Sequence, residues 1–565
     1  IEPLNNVNFI KHKSKSTSLD YVFVTTASLP WRTGTSINPL HRVSNFTKKG
    51  YRVALVIPWT NPKDQELLYN EVLFDSPQEQ KDWLLNRLEQ MGLEAPKAII
   101  FYKSRFYNYF KSIFPAENLS ELIPPCKHLI LEEPDHLFML DKNIPNFKAS
   151  KKIGILHTNY EFYYDRANSY FINGFMNNLT NIIIDSTDKS IALSAVVTNH
   201  PGREFVDVLP VNGVREKFFQ SSPKFKSKEL SSLFIGKLIW EKGFLNLIKI
   251  SAETNLSIDI YGDGPNKLEI ELAAKKAGAN FNFMGSTNRV DRVLKKYDLF
   301  INPSESEVYC TTNCEALAAG LYLLIPDHVS NAGFGNYKNA LFYDNIHTAI
   351  KKINSLRSDE FYKKRKDSED KKDIKTLSLD YACQQLIDYC DAEANELAIN
   401  KKKINSFQTE LIKKAFRLLA IIVLFIQDMP NGFKKFIKFT IIGTPILIVN
   451  FAAVYLFESI MQSSRLVSIL GVNELNTIAA FFLHHFITFK KEKEQQKTNT
   501  LYAFVQFHHS SIICMFIFTI CTYLLATLNL SLYMATFISM CLTNIVSYLY
   551  TSKIIYKGID QIATA

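Results

Sequence analysis

The chain has 565 residues, with 65 Lys and Arg against 55 Asp and Glu for a formal net charge of +10, 47% apolar residues and eight cysteines. That length exceeds what one hydrophobic core organises, so two or three domains are expected. The modest positive excess sits in Lys runs such as KKRKDSEDKK and NKKKIN, which alternate with acids or adjoin apolar sequence. This favours an anionic membrane surface over nucleic acid, with a plain solvated face as the alternative for any single run. The cysteines lack paired metal-ligand spacing and read as reduced thiols facing a cytosol. No secretory signal is read ahead of the first strand.

The average composition hides a split. Up to about residue 410 the chain mixes charged and apolar residues as a soluble protein does, whereas Phe436 to Tyr556 is dominated by long apolar stretches. In chain order, DYVFVTTASLP reads as a strand running into a turn, SINPLHRVSNFTKKGY as a helix and YRVALVIPW as a second strand, which is a βαβ opening. Between strand and helix, WRTGTS carries Gly34, where backbone can approach a ligand beside a helix N-terminus that favours an anion. The aromatic, basic segment from Phe101 to Phe114, FYKSRFYNYFKSIF, suits either a face dipping into lipid headgroups or an amphipathic core helix. His157 and Tyr160 follow the apolar run KIGIL, at the carboxyl end of a strand, where open α/β sheets keep their ligands.

A second half repeats this logic with cations. SSLFIGKLIWEKGF places Gly236, Lys237, Lys242 and Gly243 after a strand, and fixed ammonium groups there can stabilise a departing diphosphate without a metal. LSIDIYGDGPNKLEIE follows, a strand into Gly262 and Gly264 and then a helix. KYDLFINPS next leads into a polar loop and a small-residue helix beginning near Thr312, with Glu307 and Glu315 separated by seven residues. The helix start suits a diphosphate, while the two carboxylates suit hydroxyls of the sugars flanking it. Together they describe a nucleotide sugar; a solvated loop acid followed by a helix N-terminal acid is the alternative for the pair alone. SLDYACQQLIDYCDAEANELAI has helical periodicity.

The string INPSESEVYCTTNCEALAAG contains an E-x7-E motif and resembles the retaining glycosyltransferases of the GT-B fold (glycosyltransferase family 4 type), and within them the digalactosyldiacylglycerol synthases, as do TTASLPWRTGTSINPL, LILEEPDHL and IGILHTNYEFY. The GKLIWEKG string resembles that superfamily's phosphate clamp, with Lys237 in place of the commoner Arg, which keeps charge but loses bidentate geometry. The resemblance implies two Rossmann-like α/β domains facing a cleft, with a late helix crossing back onto the first, and a UDP-sugar donor used as a substrate with no cofactor and no metal. It implies that His157 and Glu307 contact the donor sugar, that Lys237 and Lys242 take the leaving charge and that Glu315 meets the ribose. Gly34, Thr35, Gly236, Gly262, Gly264, Val308, Thr311 and Thr312 complete the expected donor-binding set. Asn212 stands where relatives commonly show a His, so it is not relied on as a site residue.

In the apolar part, Ala415 to Gln427 is too short to span roughly 30 Å of hydrocarbon and reads as an interfacial helix. Four segments reach spanning length, near Phe436–Phe457, Leu466–Phe489, Tyr502–Leu528 and Leu530–Tyr550. Lys residues cluster before the first (Lys434, Lys435, Lys438), between the second and third (Lys490 to Lys497) and after the last (Lys553, Lys557), which puts both termini in the cytoplasm by the positive-inside rule. FIKFTIIGTPILIVNF, AFFLHHFITFK and TNIVSYLYTSKIIY resemble GtrA-like four-helix membrane proteins, linked to moving lipid-linked sugars. Asn450, Asn544, His484, His485, His508 and His509 are candidates for a polar pathway, or for interfacial and interhelical bonds.

The expected organisation is therefore a Rossmann-like acceptor-side domain over 1–195, a Rossmann-like nucleotide-sugar domain over 196–400, a linker over 401–432 and an all-α four-helix transmembrane domain over 433–565. The expected activity is hexose transfer, from UDP-galactose in the first instance, to a membrane glycolipid such as monogalactosyldiacylglycerol, with no nucleic-acid partner. An oligomer through the transmembrane helices is compatible with this. The alternative is a GtrA-type translocation protein for lipid-linked sugars with an attached glycosyltransferase half. A degenerate sugar-binding module is disfavoured because both cations and both carboxylates are present.

Overall fold

The computed structural model describes residues 19–69, 72–138 without 109, 147–158, 177, 180–219 without 200 and 201, 230–358 without 288 and 306, 374–393, and in the apolar part 477–489, 500–527 and 532–555 with a few isolated positions. The chain divides into two compact units, Ile1–Val423 and Leu424–Ala565.

The first unit holds two sheets. Strands β1 (Leu19–Val24), β2 (Val53–Thr60), β3 (Ala98–Tyr107), β4 (Ser112–Pro115), β5 (Cys126–Glu132), β6 (Ala149–Leu156), β7 (Lys189–Ala192) and β8 (Asp207–Val208) form one sheet in the order β4-β3-β2-β1-β5-β6-β7-β8. All pairs are parallel except β3 with β4. The β-branched runs VFV and VALVI are buried on both faces, as strands covered by helices on each side must be. Because β8 still pairs with β7, the first sheet extends past the boundary expected at residue 195.

Strands β9 (Ser232–Ile235), β10 (Ile258–Tyr261), β11 (Phe281–Gly285), β12 (Leu299–Ile301), β13 (Tyr322–Pro326) and β14 (Ala340–Tyr343) form the second sheet, all parallel, in the order β11-β10-β9-β12-β13-β14. In each sheet the chain builds outward from a central strand and then returns to that strand's other side. The reversal falls between β1 and β5 in the first lobe and between β9 and β12 in the second, and such a reversal opens a crevice at the strands' carboxyl ends.

The helix Leu379–Asp391 packs on the first lobe, burying Cys383, Leu386, Ile387 and Cys390 in that lobe's core. Two chain segments cross between the lobes side by side, tied by Val214 N–H to Leu377 O (2.7 Å) and Leu379 N–H to Val214 O (2.8 Å). A Cβ on Gly213 would stand 2.3 Å from the Leu379 Cα, so the crossing has room only for glycine.

One expectation is corrected. Phe101 to Phe114 is neither a helix nor an exposed amphipathic face: it is the hairpin of β3 and β4, and Phe101, Phe106, Ile113 and Phe114 are buried. The aromatics fall in adjacent pairs, Phe101 with Tyr102 and Phe106 with Tyr107, and both members of each pair are buried, as on a strand covered on both faces.

In the second unit, helices Thr500–Thr527 and Leu532–Tyr550 are followed by a short π-helical turn at Thr551–Ile555, and a second such turn spans His484–Thr488. Among the described residues one stretch, Thr500–Phe518, is long and apolar enough to cross a membrane. His484 stacks on Phe439 at 3.9 Å and His485 on Phe481 at 4.9 Å. Asn544 donates to the Thr440 hydroxyl (2.9 Å), an interhelical bond, and His509 lies 3.4 Å from the Tyr550 hydroxyl. Asn450, most of the expected first span and most of the interfacial segment lie outside the described residues.

Candidate active site

The site is built from the two crevices. In the first lobe, β5 ends at Glu132 and β6 at Leu156, adjacent strands that set Glu132 opposite Ile155. His157 follows directly, and its Nε2 lies 2.6 Å from the Glu132 carboxylate. Glu132 is fully buried and pairs on its other oxygen with the equally buried Arg42 from the helix Gly34–Lys48. Arg42 also donates to the Asn212 side-chain oxygen (2.5 Å), in the segment that enters the second lobe. Burial alone would raise the Glu132 carboxyl, but the Arg42 charge and the bond and charge of His157 bring it below the ordinary carboxylate value.

A second buried pair lies beside it. Glu133, at φ 59, accepts from the Thr26 and Thr158 hydroxyls (2.5 and 2.8 Å) and lies 3.3 Å from His136. Burial raises the Glu133 carboxyl, but the His136 charge and hydrogen bond, His157 and Thr26 carry it well below the usual range. His136, opposed by burial but held by Glu133 and Asp135, is pushed up to about 9. A non-glycine residue at positive φ at a strand's carboxyl end is strain of the kind found at working sites.

In the second lobe the reversal sets the loop after β9 against the loop after β12. Lys242, closing the short helical turn Trp240–Lys242, forms an ion pair with Glu307 in the loop after β12. Gly243 must be glycine here: its φ is 77, and a Cβ would stand 2.3 Å from the Pro303 carbonyl at the start of that loop. The loop is pinned by buried Asn302, whose amide donates to Asn313 (2.8 Å) and to the Cys310 sulfur (3.3 Å). It delivers Thr311 and Thr312 to the first turn of the helix Thr311–Ala318 and Glu315 to its second. Glu315 pairs with Arg215 at 3.5 Å. Burial raises the Glu315 carboxyl to about 7 against the opposing charges of Arg215 and Lys217.

The two crevices face each other. Val308, next to Glu307, packs against the first-lobe cluster that contains Leu156, the residue before His157. Lys237 is exposed in the loop after β9. The other expected residues divide by what surrounds them. A Cβ on Gly262 would stand 1.9 Å from the Gly236 carbonyl, one on Gly264 2.4 Å from the Leu238 carbonyl, and one on Gly236 2.8 Å from the Phe234 ring, so these three have a packing reason to be glycine. Gly34, exposed in the first helical turn beside Thr35, has only Asn38 within reach at 3.6 Å, so its lack of a side chain is not explained by the protein's own packing. Tyr160 lies outside the described residues.

Sequence reasoning did not pick out Arg42, Glu132, Glu133 and Arg215. Two consecutive acids closing the apolar run LILEE were the available signal for Glu132 and Glu133; nothing local marks Arg42 or Arg215, whose partners are distant in sequence.

Two facing parallel α/β lobes with paired cations and carboxylates at their reversal points, joined by a crossing helix, define a nucleotide-sugar transferase architecture of the GT-B type. Residues 214–373 match the family model "Glycosyl transferases group 1", and residues 438–556 match "GtrA/DPMS, transmembrane domain", which makes the protein membrane-associated. The chain is 34% identical over 408 residues to digalactosyldiacylglycerol synthase 1 of Arabidopsis thaliana, covering 68% of this chain and 49% of that one. It is 34% identical over 342 residues to digalactosyldiacylglycerol synthase 2 of Glycine max, covering 57% of this chain and 73% of that one. A sucrose-phosphate synthase structure from Thermosynechococcus elongatus superposes with a TM-score of 0.48 at 12% identity, over 66% of this chain and 98% of that one. The chain belongs to the digalactosyldiacylglycerol synthase family, and it spans about half the length of the first synthases it matches.

Proposed function

We propose that the protein transfers a hexose, galactose in the first instance, from a UDP-sugar to a membrane glycolipid such as monogalactosyldiacylglycerol, with retention at the anomeric carbon. The observation that carries this reading is the pairing of Lys242 with Glu307 at the second lobe's reversal point, facing the His157–Glu132 pair of the first through Val308. The bond from the anomeric carbon to the phosphate oxygen breaks, and the oxygen's new charge is taken up by Lys237 and Lys242 without a metal. The acceptor hydroxyl oxygen then bonds to the anomeric carbon on the same face and passes its proton to the departing phosphate. Glu307 and His157 orient the sugar, Glu132 fixes the His157 ring, and Glu315 accepts from ribose hydroxyls, with Thr311, Thr312, Val308 and the glycine turns shaping the donor's seat. The reading gives four spans, both lobes and both termini on the cytosolic side and self-association through the helices, supported by the Lys clusters flanking the apolar segments. The test is a panel of radiolabelled UDP-sugars offered to membrane lipids, with the product identified by mass; the expected product is a digalactolipid made from UDP-galactose, and no labelled lipid from any donor would reject transferase activity.

The match of residues 438–556 to a GtrA/DPMS domain favours a second reading, in which the membrane unit translocates a lipid-linked sugar. Because the chain separates into units at Val423 and Leu424, truncation near residue 432 discriminates. Transfer to detergent-dispersed lipid that survives truncation places the chemistry in the lobes, and loss of flipping alone assigns translocation to the helices.

A further inference from the structure

Beside the donor crevice, and containing none of the residues assigned to donor or catalysis above, lies a cavity of about 1020 Å³. Its walls are the outer face of the helix Gly34–Lys48, the carboxyl end of the helix Pro77–Gln90, the segment Val214–Lys217 that opens the second lobe, and Ser378–Asp380 at the crossing. Six cationic side chains line it against two carboxylates. Three already have acidic partners: Lys49 with Asp380, Lys217 with Asp291 and Arg215 with Glu315. Of the other three, Arg32 has contacts of its own, Arg87 is bonded to the neutral Gln90 amide and Lys48 is exposed near Asp380, so cations outnumber the carboxylates that line the cavity or pair with its walls. The other walls are apolar, including Ile37, Trp83 and Met91.

His41 marks the floor. It is 6% exposed, it lines the cavity, and neither ring nitrogen has a hydrogen-bond partner. A buried imidazole that leaves both a donor and an acceptor unmet is costly unless something else meets them. Burial first, then the charges of Arg215, Lys217 and Arg42, lower its pKa to about 4, so the ring is neutral and offers one N–H and one lone pair. A phosphate oxygen can accept the first and a hydroxyl can donate to the second. The volume exceeds what inorganic phosphate fills, and the apolar wall suits a ligand with a non-polar end.

We propose that this cavity binds a hydroxyl-bearing phosphate ester, with Lys48 and Arg87 on the phosphate, His41 bonded to both phosphate and hydroxyl, and Arg215 and Lys217 contributing from the second lobe. The ligand bridges the lobes at their crossing, and its source is either an anionic phospholipid headgroup or a soluble glycerophosphate.

Calorimetric titration of the full chain in neutral detergent tests this with three probes: short-chain phosphatidylglycerol in mixed micelles, sn-glycerol 3-phosphate and inorganic phosphate, with phosphatidylcholine as the blank. Saturable binding of phosphatidylglycerol alone assigns the site to lipid, and equal binding of glycerol 3-phosphate assigns it to the soluble ester. In either case Lys48→Ala/Arg87→Ala, two surface changes, should weaken binding by about tenfold or more, His41→Gln should keep most of the affinity and His41→Phe should lose it, while UDP affinity stays unchanged. The proposal is overturned if no probe saturates, if inorganic phosphate binds as well as the esters, if the double variant binds as the wild type does, or if saturating UDP displaces the probe, which would make the cavity part of the donor site.

Discussion

The two lobes place charge at the same topological position and treat it in opposite ways. At the first lobe's reversal, Arg42 and Glu132 have side chains 0% exposed and His157 is 6% exposed, each bonded to a specific partner. At the second, Lys242 and Glu307 are 21% and 24% exposed and Arg215 is 35% exposed. A buried, compensated network is fixed in one arrangement because leaving any member unpaired is expensive. A half-exposed pair gains little from its partner and can exchange it for a ligand's phosphate. The difference teaches that the first lobe presents a rigid surface, whereas the second holds charges able to exchange partners, which is what the proposed donor contacts of Lys242 and Glu307 require.

Breaking the buried side should have the largest effect on stability. Glu132→Ala strands Arg42 without its carboxylate, and the expected loss is about 3–5 kcal/mol, read as a lower midpoint in thermal unfolding followed by proteolysis of the lobes. On the acid side the sign is fixed by the depressed carboxyls. Glu132 and Glu133 contribute stability above the ordinary carboxylate value, and that contribution fades as pH falls through their lowered values, while the contribution of His136, with its pKa pushed up to about 9, is complete below an ordinary histidine value and fades as pH rises through 9. Lys242→Ala should do the reverse of Glu132→Ala. Its pair is worth about 1 kcal/mol or less, so melting hardly moves, yet transfer should fall by about 10²–10³ because the proposed mechanism loses the ammonium that takes up the leaving charge. Equal melting losses in the two variants, or normal turnover in Lys242→Ala, would erase the contrast between the lobes.

A smaller effect sharpens it. Burial raises the carboxyl of Glu315, an expected donor-site residue of the second lobe, to about 7. Only its ionised form accepts from both ribose hydroxyls, so UDP affinity should climb as pH rises through 7, and Glu315→Gln should flatten the profile. The same raised value means the folded chain holds this proton longer than the unfolded one, so its contribution to stability falls between an ordinary glutamate value and 7 as pH rises. A UDP affinity that is flat with pH in the unaltered protein would remove Glu315 from the ribose contact.

Which parts of this were legible in the sequence follows from distance along the chain. The strands β1, β2, β9 and β12 announce themselves as apolar runs, and the turns after them carry Gly34, Gly236 and Glu307, so the places where the chain returns to a central strand could be read locally. Arg42 and Glu132 meet only because β5 is inserted beside β1, and Arg215 reaches Glu315 only because β12 is inserted beside β9. No periodicity encodes those neighbours. The hairpin at Phe101 to Phe114 was misread because aromatic and basic residues dominate its composition, and because its aromatics come in adjacent pairs buried on both faces, so no period of two marks the strand. Asn212, set aside because it departs from the expected His, proves to anchor Arg42 and so couples the buried network to the start of the second lobe.

Setting stability against UDP binding separates two kinds of glycine. Gly262→Ala drives a Cβ to 1.9 Å from the Gly236 carbonyl at φ 137, so it should cost about 3 kcal/mol through overpacking and strain. Gly34→Ala meets only Asn38 at 3.6 Å, in a helical first turn, and should leave stability unchanged or raise it by about 0.4–1 kcal/mol through a less flexible unfolded chain. If Gly34 is glycine so that a diphosphate can approach its backbone, the same variant should weaken UDP binding while it melts no lower than the original protein. A stabilised variant with weakened UDP binding would mark Gly34 as a residue chosen for the ligand; a stabilised variant with unchanged binding would move the donor's phosphates away from the first lobe and leave their contacts to the second lobe alone.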